Sequence, residues 1–411
     1  MQRRRTGAIR RVVAVAFIGG MGGGLVFPII PAVGLALGIP AAMIGLILAA
    51  NRITRLALAS WAGRLVDRLG GRGPLALGLL LEGVGILGYS AALAFGHPTA
   101  WFLAGRAMFG AGSALLQIGA QATVLRLSLS SDRGRQAAAV RVALSLGMPG
   151  GLVLGGLIAD VVSNRAAFLV GAALEGAGAI AALILVPASA GPEQPADALR
   201  PRIDSSWHWL SNLRREPEFP FVAAACGFNL LCFLALQGVL MPTLVLLVLH
   251  RQFAIFGLAA EGTAGLLMAA IMTVSLPAAL ALGRLLDRRQ LRTPLIVPAL
   301  GGLALGLASL AFGRTLPAIL PGLILLGTFF NGVTLPLLSL LGDITPRERL
   351  GRVVSLFQLS GDIGGSIGPV AGLTVGVGVG LAPTYLGAAL LLATAMPFAR
   401  ALARSERTFR S

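Results

Sequence analysis

Residues 42–95 read AMIGLILAANRITRLALASWA, GRLVDRLGGR, GP and LALGLLLEGVGILGYSAALAF. Each of the two outer runs is about 20 residues, the length a helix needs to cross the hydrocarbon core of a bilayer. The short connection between them carries Arg64, Arg68 and Arg72 around a single acid, Asp67. Two spans joined by an arginine-rich turn predict a chain that threads a membrane.

The rest of the chain repeats this pattern. Hydrophobic residues make up 56 % of the 411 and charged residues 12 %, about half the charged share of a soluble domain. A water-soluble core could not hide so much apolar surface. Twelve apolar runs of spanning length follow one another: 12–37, 42–62, 75–95, 101–124, 137–158 and 166–186, then 222–249, 263–282, 294–312, 317–341, 353–378 and 382–398. The first run follows a basic N-terminus but is too long for a cleavable signal segment. All 33 basic residues are arginine. The net charge of +17 would suit nucleic acid only if it formed a basic face on a folded domain, and here it is divided among short loops. We therefore expect the lipid bilayer, and no nucleic acid, as the partner surface.

The arginines set the orientation, because positive residues stay on the cytoplasmic side. Twenty-six lie in the two tails and alternate loops, three (Arg165, Arg251, Arg314) in the opposite loops, and four (Arg52, Arg55, Arg106, Arg141) inside the runs. Both termini are thus expected in the cytoplasm. The expected fold class is an all-α membrane protein with twelve transmembrane helices in two pseudo-symmetric six-helix bundles, residues 1–186 and 221–411. The connection 187–220 is a cytoplasmic linker, in which Trp207, Trp209 and Leu210 could face lipid from a short amphipathic helix.

The halves echo one another. GRLVDRLGGR at 63–72 recurs as GRLLDRRQLR at 283–292, and GRQAAAVRVALSLG at 134–147 as GRVVSLFQLSGDIG at 351–364. Such internal repeats are a mark of secondary transporters. On the loop motif G-x-L-x-D-R-x-G-x-R, carried by Gly63, Leu65, Asp67, Arg68, Gly70 and Arg72, and on its partial copy Gly283, Leu285, Asp287 and Arg288, the chain resembles the major facilitator superfamily over essentially its whole length. The resemblance implies two bundles around a central cavity that opens to either side in turn. It also implies a latch at these loops: Asp67 would face the positive N-terminal end of span 11, Arg68 and Arg72 would hold the carboxylate, and Gly63 would let a neighbouring helix approach. The alternative is that these charges only set topology. RAMFGAGSA at 106–114 is similar to the family's span-4 motif, whose arginine is associated with proton coupling. The span-5 pattern of the drug/metabolite–proton antiporters is met only in part by GMPGGLVLGG at 147–156, where the proline is displaced; GSIGPVAG at 365–372, in span 11, is better spaced.

Charges inside spans are costly and mark function by default. They are Arg52, Arg55, Glu82, Arg106, Arg141, Glu175 and Asp362. At about 1.5 Å per residue, Arg52 and Asp362 lie about 16 and 15 Å above the inner ends of spans 2 and 11, so they could pair across the bundles, either as a proton-sensitive link or as a static ion pair. Arg55 and Glu82 share a depth. Glu82 and Glu175 lie on peripheral helices of the implied fold, which favours a scaffold role, and Arg141 is near enough to an end to snorkel. Gln117, Gln121, Asn229, Gln237, Asn331 and Gln358 are candidate cavity polar groups, each equally suited to tying helices together. Pro28 and Pro31 in span 1, with Pro242 in span 7, suggest bendable gates. Cys226 and Cys232 read as small core residues.

His97, His208 and His250 all fall outside the runs, and no nucleophile–base pair or metal-ligand set is apparent. An enzyme is not expected, nor a cofactor or metal. The expectation is a monomeric secondary transporter of the cell (inner) membrane that uses the proton gradient to expel small hydrophobic or amphipathic molecules. The alternatives are an importer or facilitator of an organic anion, and a membrane sensor that transports nothing. If the loop acid is a latch, Asp67→Asn should impair substrate uptake into vesicles while leaving expression intact; unchanged transport would exclude the latch.

Overall fold

The computed structural model describes residues 2–129, 132–187, 216–288 and 291–410. All regular elements among them are helical. Trp207, Trp209 and Leu210 fall outside the described residues.

The chain divides into two compact units, Met1–Ala198 with Leu244–Ala269, and Leu199–Thr243 with Ala270–Ser411. The first contains α1 (Gln2–Leu25), α2 (Ile30–Ala36), α3 (Ala41–Leu69), α4 (Arg72–Ala92), α5 (Pro98–Leu127), α6 (Arg133–Val161) and α7 (Asn164–Leu185). It also takes in most of α9 (Met241–Arg251) and the start of α10 (Ala260–Asp287). The second holds α8 (Phe219–Phe233), a π-helical turn (Leu234–Leu240), the remainder of α10, a 3₁₀ turn (Thr293–Leu295), α11 (Ile296–Phe312), α12 (Leu316–Ile344), α13 (Arg347–Gly378), α14 (Leu381–Thr394) and α15 (Met396–Arg410). Eleven helical stretches among the described residues are long and apolar enough to cross a membrane. The 32-residue α13 is also long enough, but its glycines and polar residues make it less apolar. Large apolar side chains face outward, such as Ile180, Leu183 and Ile184 on α7, as expected of helices surrounded by lipid.

Packing partners repeat between the units. In the first, α4 packs on α5 and α7, and α1 on α6; in the second, α11 packs on α12 and α14, and α8 with its π turn on α13. Glycine permits the closest of these contacts. A Cβ on Gly147, Gly151 or Gly155 of α6 would strike the carbonyls of Phe17, Met21 and Leu25 on α1. The four-residue spacing keeps all three on one face of the helix. On α13, Gly364 and Gly368 lie in the same way against Leu230 and Gly238. Small residues that let backbones approach are what hold helices together in lipid, where apolar burial provides no drive.

Two apolar runs are not uniform helices. Span 1 breaks between α1 and α2, with turns over 26–29 around Pro28. Span 7 passes through the π turn Leu234–Leu240 before Pro242. Proline has no N–H to offer the carbonyl four residues earlier, here that of Gly238, and the wide turn takes up the misfit. The loop motif is also largely helical: α3 continues to Leu69, so Arg64, Asp67 and Arg68 lie on its last turns. Gly70 then ends it with φ +75°, a left-handed conformation that favours glycine.

Gly151→Ala should lower the melting temperature of the detergent-purified protein by several degrees, since overpacking costs about 1–3 kcal/mol. Gly176→Ala should leave it unchanged or slightly raised, because a Cβ there meets nothing within 4 Å and alanine is the better helix former. Equal effects at the two sites would show that the α1–α6 approach does not limit stability.

Candidate functional site

The first unit brings four of the sequence's candidate charges into its interior. Glu82 (α4) is 1 % exposed, Arg106 (α5) 1 % and Glu175 (α7) 0 %, while Arg55 (α3) is half-buried. Glu82 faces α5: the hydroxyl of Ser113 is within hydrogen-bonding reach of its carboxyl, and a Cβ on Gly112 would lie 2.8 Å from its Cγ. Glu175 packs against Gly83 of α4, and its Oε1 lies directly against Gly22 of α1. The two carboxyls are near enough for their charges to interact, and Arg55 is near enough to act on Glu82. Glu82 Oε2 finds no hydrogen-bond partner among the described residues, and the Glu175 carboxyl has only the Gly22 backbone near enough to act on it. Buried acceptors in apolar surroundings are costly when unsatisfied.

Arg106 sits against the break in span 1. Its guanidinium lies 5.6 Å from the ring centroid of Phe27, within the turns between α1 and α2. Its Nη2 donates to the carbonyl of Leu48 on α3 at 3.4 Å, and the Tyr89 hydroxyl lies beside it. Nε and Nη1 have no partner among the described residues. The side chain thus ties α5 to α3 and to the bend, and still has donors to offer.

The remaining candidates are more scattered. Arg52 and Asp362 are half-buried; Arg141 and Gln358 are exposed. Gln117 donates to Ser113 Oγ at 3.3 Å, while Gln121 and Gln237 are half-buried, Gln237 within the π turn. Asn229 ties α8 to α13 through Phe357 O at 2.6 Å and Ser360 Oγ at 3.2 Å. Asn331 ties α12 to α10 through Ser275 O at 2.9 Å. Cys226 and Cys232 are free thiols, Cys232 fully buried.

Around the repeated loop motif the contacts differ from those expected. Asp67 pairs with Arg126, at the end of α5, at 3.5 Å, so an arginine 59 residues away holds the carboxylate. Gly63 and Gly283 face open space, since a Cβ at either meets nothing within 4 Å. The close approach occurs instead at Gly71, where a Cβ would strike Thr123. In the second unit the charges are exchanged: Arg292, on the loop, pairs with Asp343 at the end of α12 at 3.1 Å. The side chain of Asp287 lies outside the described residues; Arg68, Arg72 and Arg288 close the two motifs.

Sequence reasoning missed Asp160 and Glu261. The Asp160 carboxyl, at the end of α6, lies against the first turn of α10: a Cβ on Gly262 would come within 2.5 Å of its Oδ2, and Glu261 is beside it. Asp160 is the last residue but one of α6, an end that does not favour a carboxylate, and only the fold brings it to another helix's N-terminus, where one is favoured.

Apolar helices enclosing charge in this way define a multi-pass membrane protein. The sequence profile of the Major Facilitator Superfamily matches residues 12–369 and, in a second alignment, 228–408. The chain belongs to the major facilitator superfamily, and is a transporter rather than an enzyme. No curated protein matches it by sequence. Solved structures share the fold at low identity. The nucleoside transporter NupG, in a mutant form, is 14 % identical with a TM-score of 0.75, covering 96 % of this chain and 99 % of that one. A bacterial homologue of the human lysosomal transporter Spinster, inward-facing and unoccupied, is 12 % identical with a TM-score of 0.74, covering 97 % of each chain. The human organic anion transporter TETRAN is 18 % identical with a TM-score of 0.63, covering 96 % and 99 %.

Because Glu175 fills the space beside Gly22, Gly22→Ala should destabilise the protein, and the loss should shrink by at least half in a Glu175→Ala background. Thermal unfolding of the four proteins of the cycle measures this coupling, which for touching residues is about 0.5–3 kcal/mol. An equal loss in both backgrounds would show that the carboxyl is not what the added methyl meets.

Proposed function

We propose that this protein is a proton-coupled secondary transporter of the cell (inner) membrane, a monomer with twelve spans and both termini in the cytoplasm. It works by alternating access and exports small hydrophobic or amphipathic molecules. The observation that supports the coupling is the buried pair Glu82 and Glu175, whose carboxyls are near enough for their charges to interact, in the same unit as the buried Arg106 at the bend of span 1. A carboxyl that gains or loses a proton in such a setting changes the local charge in a medium where charge is expensive. Arg106 can convey that change to the bend through Phe27. Asp362, half-buried in the middle of α13, is the corresponding candidate in the second unit. The apolar character of span 1, with glycines at 19–24 and prolines at 28 and 31, favours apolar cargo over sugars.

A second reading has a specific observation in its favour. The unpartnered Nε and Nη1 of Arg106 could receive an anionic group, and one structural relative is titled an organic anion transporter. Under that reading the chain imports or facilitates an organic anion.

Proteoliposomes containing a pH-sensitive dye separate the two. Export coupled to protons predicts that a lipophilic substrate and protons move in opposite directions; anion transport without proton movement would replace the first reading with the second. In the same assay Glu82→Gln, Glu175→Gln and Asp362→Asn should each reduce substrate-driven proton flux at least tenfold while the protein remains folded. A variant with normal pH response would remove that carboxyl from the coupling path.

A further inference from the structure

The last helix, α15, forms one wall of a cavity of about 360 Å³. Arg400, Arg404 and Arg407 line it on one side; Pro294, Val297 and Pro298, at the start of α11, line it on the other. Positions 400, 404 and 407 share a face because residues three and four apart are neighbours on a helix. All three arginines are exposed, whereas Ala399, Leu402 and Glu406 are buried on the inward face of α15.

The nearby acids are engaged elsewhere. The Glu406 carboxylate, 0 % exposed, accepts hydrogen bonds from Arg292 N at 3.1 Å, Thr293 N at 2.9 Å and Thr293 Oγ1 at 2.6 Å. It therefore caps the turn that begins α11 and fixes α15 against it. Asp343 is paired with Arg292. Phe409 is held edge-on against Phe221 at 5.2 Å, which secures the far end of α15. Among the described residues, no carboxylate lines the cavity, and its basic wall cannot swing away without breaking the Glu406 cap.

We propose that this cavity binds the phosphate headgroup of an anionic phospholipid. Three guanidinium groups on a fixed helix face suit a phosphate, which they can grip with paired N–H donors. The opposite wall is apolar and belongs to the end of a stretch, Thr293–Phe312, long and apolar enough to span the membrane. The cavity therefore opens where a headgroup joins its acyl chains. Basic pockets at the ends of membrane helices have the chemistry for such headgroups. A free phosphate would use the arginines but gain nothing from Pro294, Val297 and Pro298, and this favours lipid over the soluble ion.

The test uses the full-length protein in a neutral detergent, with thermal unfolding and native mass spectrometry after addition of phosphatidylglycerol, phosphatidylcholine or inorganic phosphate. Phosphatidylglycerol should raise the melting temperature and stay bound, and phosphatidylcholine should do neither. Each of Arg400→Gln, Arg404→Gln and Arg407→Gln should weaken retention of phosphatidylglycerol about fivefold, the attraction expected of one cation for an anionic surface. Arg133→Gln with Arg135→Gln, an exposed pair in the other unit, should leave retention unchanged. The proposal fails if the three α15 variants retain phosphatidylglycerol like the wild type, or if the Arg133/Arg135 variant loses as much. It also fails if inorganic phosphate alone reproduces the stabilisation, which would mark a site for a soluble anion. Should one of the single variants not fold, the other two carry the same comparison.

Discussion

In each unit one pair of helix backbones comes so close that only glycine fits between them. In lipid the hydrophobic effect does not drive helices together, and association rests on dispersion, weak polar contacts and how near two helices can come. Gly147, Gly151 and Gly155 of α6 bring its axis onto α1, and Gly364 and Gly368 of α13 bring it onto α8 and the π turn. Helix backbones this close can make Cα–H···O contacts, each worth about 0.5–1 kcal/mol. The remainder of each unit is arranged around this approach. In the first unit it places Gly22 where Glu175 can lie against it, and the neighbouring bend where the Phe27 ring meets Arg106. Both helices packed in this way, span 1 and span 7, also depart from regular helix beside a proline. Tight packing at one level and a soft backbone nearby allow a helix to bend without losing its partner.

Buried charge is the second constraint. A chain that relies on small residues for cohesion has little stability to spare for unpaired ions, each of which costs several kcal/mol in lipid. Arg106, Glu82 and Glu175 are nonetheless almost completely enclosed. Arg106 is accommodated by an aromatic face and a backbone carbonyl rather than by a bidentate carboxylate. That arrangement leaves Nε and Nη1 of Arg106 without a partner among the described residues.

Much of the architecture was legible in the sequence, because it is written in local periods. Span lengths, the repeat at an offset of about 220 residues and the loop motif need only neighbours in the chain to be read. The site was legible as a set of residues but not as a geometry. Glu82 and Glu175 are 93 residues apart, and only the packing of α4 on α7 brings them together. The helices they occupy suggested separate scaffold positions; which way each side chain points shows that the two are neighbours. Gly63 shows the opposite error. The motif suggested a close approach there, yet its neighbourhood is open, and the conformational demand falls on Gly70 with its positive φ. The partner of Asp67 was missed for the same reason: Arg68 and Arg72 are adjacent in sequence, but Arg126 arrives from the far end of α5.

The two copies of the loop motif have also come apart in their energetics. Asp67 is 61 % exposed and meets Arg126 at 3.5 Å; such surface pairs contribute about 0–1 kcal/mol and exchange partners easily. Arg292 is 18 % exposed, meets Asp343 at 3.1 Å, and its backbone N–H is capped by the buried Glu406. Breaking that set would leave a buried carboxylate without donors, a cost of several kcal/mol. The ion pair beside the second loop is thus the costlier of the two to break, because it is less exposed and sits next to a carboxylate that the same backbone caps.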